Sequence, residues 1–358
     1  MSKKIVYCAD GTWDSSASHT NVYKLYKGLV TSADQVPLYD DGVGASANPI
    51  FKIVGGAFGT GLWQKIKDGY TKIAHLYEAG DPLYIFGFSR GAFTARSLAG
   101  MILACGLPTE NFADGMVDTI FDAYRDKSQR ADLPNKLPSI KLVKPDITMV
   151  GVWDTVGSLG IPSAIGGIDP IVYGFLDTNL HPNIKNAYQA LAIDEKRAQF
   201  PPTLWQGPTA PGQTLEQVWF TGAHSDVGGG EPDDLPGTTA LSDITLAWMM
   251  SKAEALGLEF AGDIPMPLDT ALALDAFHES WKVFNGVPIR RKIAANSSIS
   301  NSVAVRCANE STWRPQNLTF QNPQNGALAA GYQIVSVVTP LEVAVGAGAA
   351  GTQSTTGD

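Results

Sequence analysis

Short apolar runs that stop at polar or glycine-rich turns alternate along this chain with stretches whose apolar residues recur every third or fourth position. The first run, Ile5-Val6-Tyr7-Cys8-Ala9, ends at Asp10-Gly11-Thr12-Trp13 and predicts a buried strand that delivers a turn. Thr20 then stands where a helix cap belongs, and Val22, Leu25, Tyr26 and Leu29 share one face at helical spacing. Val36-Pro37-Leu38-Tyr39, before Asp40-Asp41-Gly42, predicts a second strand, so the opening reads β-α-β. After the glycine-rich stretch Gly55 to Gly61, residues Ile66, Tyr70, Ile73 and Tyr77 mark a helix that stops near Gly80. The strand Leu83-Tyr84-Ile85-Phe86 follows, and then a helix from about Gly91 to Cys105.

Ile147 to Trp153 is nearly continuous in apolar residues, as expected of a strand covered on both faces, and Val218-Trp219-Phe220 repeats the pattern. With a helix from about Leu241 to Leu256 closed by Gly257, the alternation predicts an α/β fold. That is a doubly wound, mostly parallel sheet with inserted cap or lid segments. The expected organisation is one domain over residues 1–342, with insertions above the sheet at about 156–214 and 258–300, and a loose tail over 343–358 rich in Gly, Ala, Thr and Ser.

Charge narrows the function classes. Charged residues are 17% of the chain, against roughly 25% in an ordinary soluble domain, and 44% are apolar, which excludes disorder of the whole. The formal net charge of −9 has the wrong sign for a nucleic-acid binder, and the longest basic run is Arg290-Arg291-Lys292. That charge also opposes attraction to anionic lipid, so membrane contact must come from local apolar surface. Cys8, Cys105 and Cys307 are odd in number and far apart, which fits neither a disulfide framework nor a metal cluster. The N-terminal run Ile5 to Ala9 is too short for the apolar region of a signal peptide, and no run of about 18 apolar residues appears. Residence in the cytoplasm, or export without a signal peptide, is the expectation.

The sharpest chemical signal is Gly87-Phe88-Ser89-Arg90-Gly91, placed where a predicted strand meets a predicted helix. A serine on such a turn holds its hydroxyl above the sheet edge, and small flanking residues prevent a collision there. A serine hydroxyl is a weak nucleophile unless an imidazole takes its proton and a carboxylate holds that imidazole. Of five histidines, His224 alone follows a buried strand in a glycine-rich turn, Thr221 to Gly230. Asp154 ends the strand Ile147 to Trp153, which gives the chain order Ser89, Asp154, His224 of α/β-hydrolase triads. Asp226 is the rival acid, though two residues from His224 it fits better as a cap of the following turn.

Acyl transfer also needs donors aimed at a developing oxyanion. The N–H of Arg90 supplies one by position, and Gly11 or Thr12 is the candidate for the other, unless Asp10-Gly11-Thr12 is only a turn. The apolar run Leu159 to Leu176, with Ile161, Ile165, Ile168, Tyr173 and Phe175, reads either as an acyl-binding lid or as a packed crossover. No metal or organic cofactor is required. A metal cluster of Asp10, Asp14 and Asp226 is the weakest alternative, since no spacing forces them together.

These motifs resemble one family: the α/β-hydrolase domain of type VI secretion phospholipase effectors of the first lipase class, with its bacterial and fungal relatives. The resemblance runs through Asp10-Gly11-Thr12-Trp13, Thr20-Asn21-Val22, Asp41 to Gly44, Gly55 to Gly59, Gly87 to Arg96, Trp153 to Gly157, Ala190 to Glu195, His224 to Gly230 and Trp313-Arg314-Pro315. It implies a Ser-Asp-His lipase or esterase with phospholipid as the leading substrate. It also implies transient membrane contact and, for a secreted toxin, a secretion apparatus and an immunity protein as partners. Gln189 and Leu176 stand where the family often has histidine, a difference that bears on pocket shape rather than mechanism. The competing readings are a general carboxylesterase or polyester hydrolase, and a catalytically idle hydrolase fold used for binding.

Overall fold

Side chains alternate along the first apolar run as a strand requires: Ile5, Tyr7 and Ala9 face one side of a sheet, Val6 and Cys8 the other. The computed structural model describes residues 2–11, 18–42, 57–156, 178–207, 209–231, 239–264, 268–284 and 287–339. In it, β1 (Lys4–Ala9), α1 (Asn21–Gly28) and β2 (Gln35–Asp40) form the expected β-α-β opening. Thr20 caps α1, its Oγ1 accepting the N–H of Tyr23 at 3.2 Å. Helix α2 (Ala57–Leu76) leads to β3 (Leu83–Phe88), and α3 (Ser89–Cys105) follows β3 without a connecting loop. The further strands of the central sheet and the main helices are α4 (Met116–Arg125), β4 (Ile147–Trp153), β5 (Ile184–Ala192), β6 (Thr214–Phe220), α5 (His224–Gly228), α6 (Ser242–Ala255), β7 (Ser298–Ser300), α7 (Asn301–Asn309) and β8 (Gln333–Val335).

The eight strands pair in the order β8-β7-β6-β5-β4-β3-β1-β2, every neighbour parallel. A parallel sheet needs cover on both faces, and gets it. On one face α2, α3 and α4 bury Ile66, Tyr70, Leu98, Ile102 and Phe121 against Tyr7, Ile85 and Val150. On the other, α1 and α6 bury Val22, Leu25, Trp248 and Met249 against Val6, Phe86 and Trp153. The order of travel reverses between β1 and β3, so the connections leaving these neighbours diverge and open a crevice at their carboxyl ends. No helix among the described residues is long and apolar enough to cross a membrane.

Two expectations need correction. The span 156–214 is not an insertion as a whole, because β5 within it is a central strand of the sheet, paired with β4 and β6. The polar residues Lys185, Asn186 and Gln189 interrupt its apolar pattern and hide it. Likewise the span 258–300 ends in β7, three residues whose flanking serines carry no apolar periodicity. The run Leu159 to Leu176 and the tail 343–358 lie outside the described residues.

Candidate active site

Because α3 begins directly after β3, the chain must turn within one residue, and Ser89 does so at a positive φ of 58°. That conformation costs a residue with a Cβ on the order of 1 kcal/mol and persists only where its neighbours enforce it. The neighbours do: a Cβ on Gly87 would collide with the carbonyl of Gly91, and one on Gly91 with the carbonyls of Ala9 and Asp10. The strand, the turn and the helix are thus packed backbone to backbone. Ser89 stands at the N-terminus of a 17-residue helix.

Asp154 leaves β4 in the same manner, at a φ of 40°. Phe88 and Trp153 are register partners, so Ser89 and Asp154 emerge from adjacent strands at one sheet edge. His224 opens α5 just beyond β6, and its Nδ1–H donates to Asp154 Oδ2 at 2.6 Å with both side chains buried. The His224 ring lies against Phe88, centroids 4.6 Å apart, and takes the edge of Phe200 at 5.0 Å. Its Nε2 is buried and has no hydrogen-bond partner among the described residues.

Burial would raise the Asp154 carboxyl, but the Arg291 guanidinium and the His224 bond outweigh it and hold the group well below the ordinary carboxylate range. Arg291 reaches both oxygens, Oδ1 at 2.5 Å and Oδ2 at 2.8 Å, and the N–H of Ala192 adds a third bond at 3.1 Å. For His224 burial is the larger effect and lowers its pKa below the usual imidazole value, against the pull of Asp154. The ring is therefore neutral at neutral pH, with Nε2 able to accept a proton.

Four supporting residues, Arg291, Glu195, Arg197 and His278, have no role assigned to them by the sequence reading. Arg291 sits in the basic run 290–292, where nothing local distinguishes the inward residue from its neighbours. Glu195 Oε2 accepts the His224 backbone N–H at 3.2 Å, while Arg197 holds Glu195 at 2.7 Å and stacks on Phe200 at 3.7 Å. His278 Nδ1 bonds Asp226 Oδ1 at 2.6 Å. The Asp226 Oδ2 atom also accepts the N–H of Ala223, capping α5, the role expected of this residue rather than that of the triad acid.

The oxyanion candidates divide. Arg90 lies in the first turn of α3, beside Ser89. The N–H of Gly11, although at the neighbouring strand end, already donates to Asp10 Oδ1 at 2.8 Å. Thr12, Asp14 and the lid candidates Ile161, Ile165, Ile168, Tyr173 and Phe175 lie outside the described residues. Asp10 is held by Thr20 and Tyr39, and among the described residues no cluster of three or more His, Cys, Asp or Glu is placed to hold a metal ion.

Comparison with known proteins gives three findings. The model of the family described as type VI secretion phospholipase effector Tle1-like, catalytic domain, matches residues 3–252. An uncharacterised protein of Saccharomyces cerevisiae is 28% identical over 227 residues, 55% of this chain and 32% of its own length, so the chain spans about a third of that relative. Two solved structures are similar in part. One is an uncharacterised protein from Pseudomonas aeruginosa (TM-score 0.45, 18% identity, 72% of this chain and 46% of the other). The second is a Tle1 effector bound to the VgrG spike of the type VI secretion system (TM-score 0.36, 19% identity, 66% of this chain and 52% of the other).

Proposed function

Because the chain belongs to the family of Tle1-like phospholipase effector catalytic domains, we propose that it hydrolyses carboxylic ester bonds of phospholipids with Ser89, His224 and Asp154 as a catalytic triad. One observation carries the reading. A neutral, buried imidazole is gripped through Nδ1 by an ionised carboxylate and has no partner at Nε2 among the described residues, at the sheet edge where a serine is held in a strained turn.

In this reading Ser89 Oγ attacks the acyl carbonyl carbon as its proton passes to His224 Nε2. The resulting oxyanion takes the N–H of Arg90, aided by the positive end of α3. Collapse of the tetrahedral intermediate breaks the ester C–O bond, and His224 returns the proton to the departing lysophospholipid alcohol. Water, deprotonated by the same Nε2, then attacks the acyl-serine and releases the fatty acid. Asp154 stabilises the imidazolium in both halves, and Arg291 keeps Asp154 ionised. No step calls on a metal or organic cofactor.

Family membership also supports a role as a type VI secretion effector, exported without a signal peptide and partnered by the secretion apparatus and an immunity protein. The test of the chemistry is labelling by a fluorophosphonate. The wild type should react at Ser89 and the Ser89→Ala variant should not; a wild-type protein that resists the probe would favour an idle binding module instead.

A further inference from the structure

The basic run Arg290-Arg291-Lys292 divides its side chains between two tasks. Arg291 is buried and turned inward onto Asp154, with further bonds to the carbonyls of Ala192 at 3.0 Å and Phe200 at 2.8 Å. Its neighbours Arg290 and Lys292 are exposed. Immediately before them Val287 and Ile289 are 83% and 57% exposed, two of the four large apolar side chains left exposed among the described residues. The other two, Leu274 and Ile334, stand singly elsewhere. Isolated exposed apolar residues need no explanation, but a Val-Pro-Ile tip beside a pair of exposed cations is a different object.

The tip does not hang free. Ile289 donates its N–H to the carbonyl of Lys196 at 2.8 Å, and Arg291 ties the next turn to the site. Beneath the tip a hollow of about 190 Å³ is lined by Arg197, Gln199, Trp281, Val287 and Ile289, so the half-buried Trp281 flanks it. Lys196 and Lys282 lie over the Trp281 ring at 5.8 and 6.0 Å and share Glu279 between them. Arg290 and Lys292 have no carboxylate partner among the described residues. On a chain of net charge −9, this corner is locally cationic as well as apolar.

We propose that the Val287-Pro288-Ile289 tip, with Arg290 and Lys292, docks this domain on the surface of an anionic bilayer beside the active site. The inference rests on the lipid-hydrolase reading and supplies what that reading lacks, a way for a negatively charged protein to stay on its substrate. Apolar side chains entering the interface give the affinity, and the flanking cations offset the repulsion of the whole chain. A fully polar target, such as a soluble ester or another protein's acidic face, would leave Val287 and Ile289 unused.

Binding is read by co-sedimentation with phosphatidylcholine vesicles, with and without phosphatidylglycerol, in the Ser89→Ala background so that hydrolysis plays no part. The protein should bind vesicles containing phosphatidylglycerol. The double variant Val287→Asp/Ile289→Asp should weaken this binding roughly tenfold or more, from the lost burial of two branched side chains. Replacing Arg290 and Lys292 by Ala should weaken it roughly fivefold per cation on anionic vesicles, and far less on neutral ones. Ile334→Asp, equally a charge on an exposed apolar position, should change nothing. With Ser89 restored, the ratio of vesicle to short-ester turnover should fall with binding. Unchanged vesicle binding in the double variant, or no binding by the parent protein, overturns the docking surface. Binding that follows these variants in a protein without esterase activity would sustain the surface and defeat the hydrolase reading instead.

Discussion

Arg291 holds both carboxylate oxygens of Asp154 while His224 holds one of them, so a single buried carboxylate serves two cationic partners. Burial is the largest influence on His224 and lowers its pKa; the bond and charge of Asp154 pull it up, and the nearby charge of Arg197 pulls it down. Arg291 acts on Asp154, holding that carboxylate in its ionised form.

The pH profile follows from this arrangement. Protonated His224 cannot act as a base, so activity should fall on the acid side through the His224 pKa, and that limb should lie below the ordinary imidazole range. Replacing Arg291 by Met leaves the full charge of Asp154 to His224, raises the imidazole pKa and moves the limb to higher pH. Breaking the buried pair should also cost about 3 kcal/mol of stability. The profile of kcat/KM against pH checks both; an acid limb that stays in place when Arg291 is removed would show that it does not tune the base.

The elbow makes a steric prediction. Gly91→Ala pushes a methyl group into the carbonyls of Ala9 and Asp10, whereas Gly115→Ala enters open space. The first should destabilise by at least about 1–3 kcal/mol, as overpacking does, and should reduce turnover by moving Ser89. The second should be near neutral. Thermal melts of the two variants separate backbone collision from a general intolerance of side chains at glycine.

Asp10 predicts a pH dependence of stability. Burial raises its carboxyl to about 6, against hydrogen bonds from Tyr39, Thr20 and Gly11 that favour the ionised form. The folded protein therefore holds a proton that the unfolded chain, with an ordinary value near about 4, has lost. This contribution to stability is full below the unfolded pKa and is lost as pH rises through about 6. Asp10→Asn should flatten the Tm profile between these limits; an unchanged slope would mean that Asp10 is ionised throughout. Asp194, raised by burial to a similar value, acts with the same sign and should leave a residual slope.

Much of the centre was legible because local signals and global fold agree there. The β-α-β opening, the Thr20 cap, the strand Ile147–Trp153 and the serine between strand and helix all carry their periodicity or turn chemistry within a dozen residues. β5 was not, because its environment, not its composition, makes Lys185, Asn186 and Gln189 acceptable in a central strand: Asn186 donates to the Thr148 carbonyl and Gln189 to that of Thr203. Arg291 was illegible for a different reason. It meets Asp154 across 137 residues, and only the folded sheet edge brings them together. His278 and Asp226 meet in the same non-local way, 52 residues apart.

The most direct test of the account is hydrolysis by the purified protein, wild type against Ser89→Ala. The substrate panel is phosphatidylcholine, phosphatidylethanolamine and phosphatidylglycerol vesicles beside short and long p-nitrophenyl esters. The wild type should release fatty acid from vesicles, and the variant should do so slower by a factor of about a thousand or more. Vesicle turnover undiminished by Ser89→Ala would contradict the assigned nucleophile, and turnover of soluble esters alone would replace the phospholipase by a general carboxylesterase.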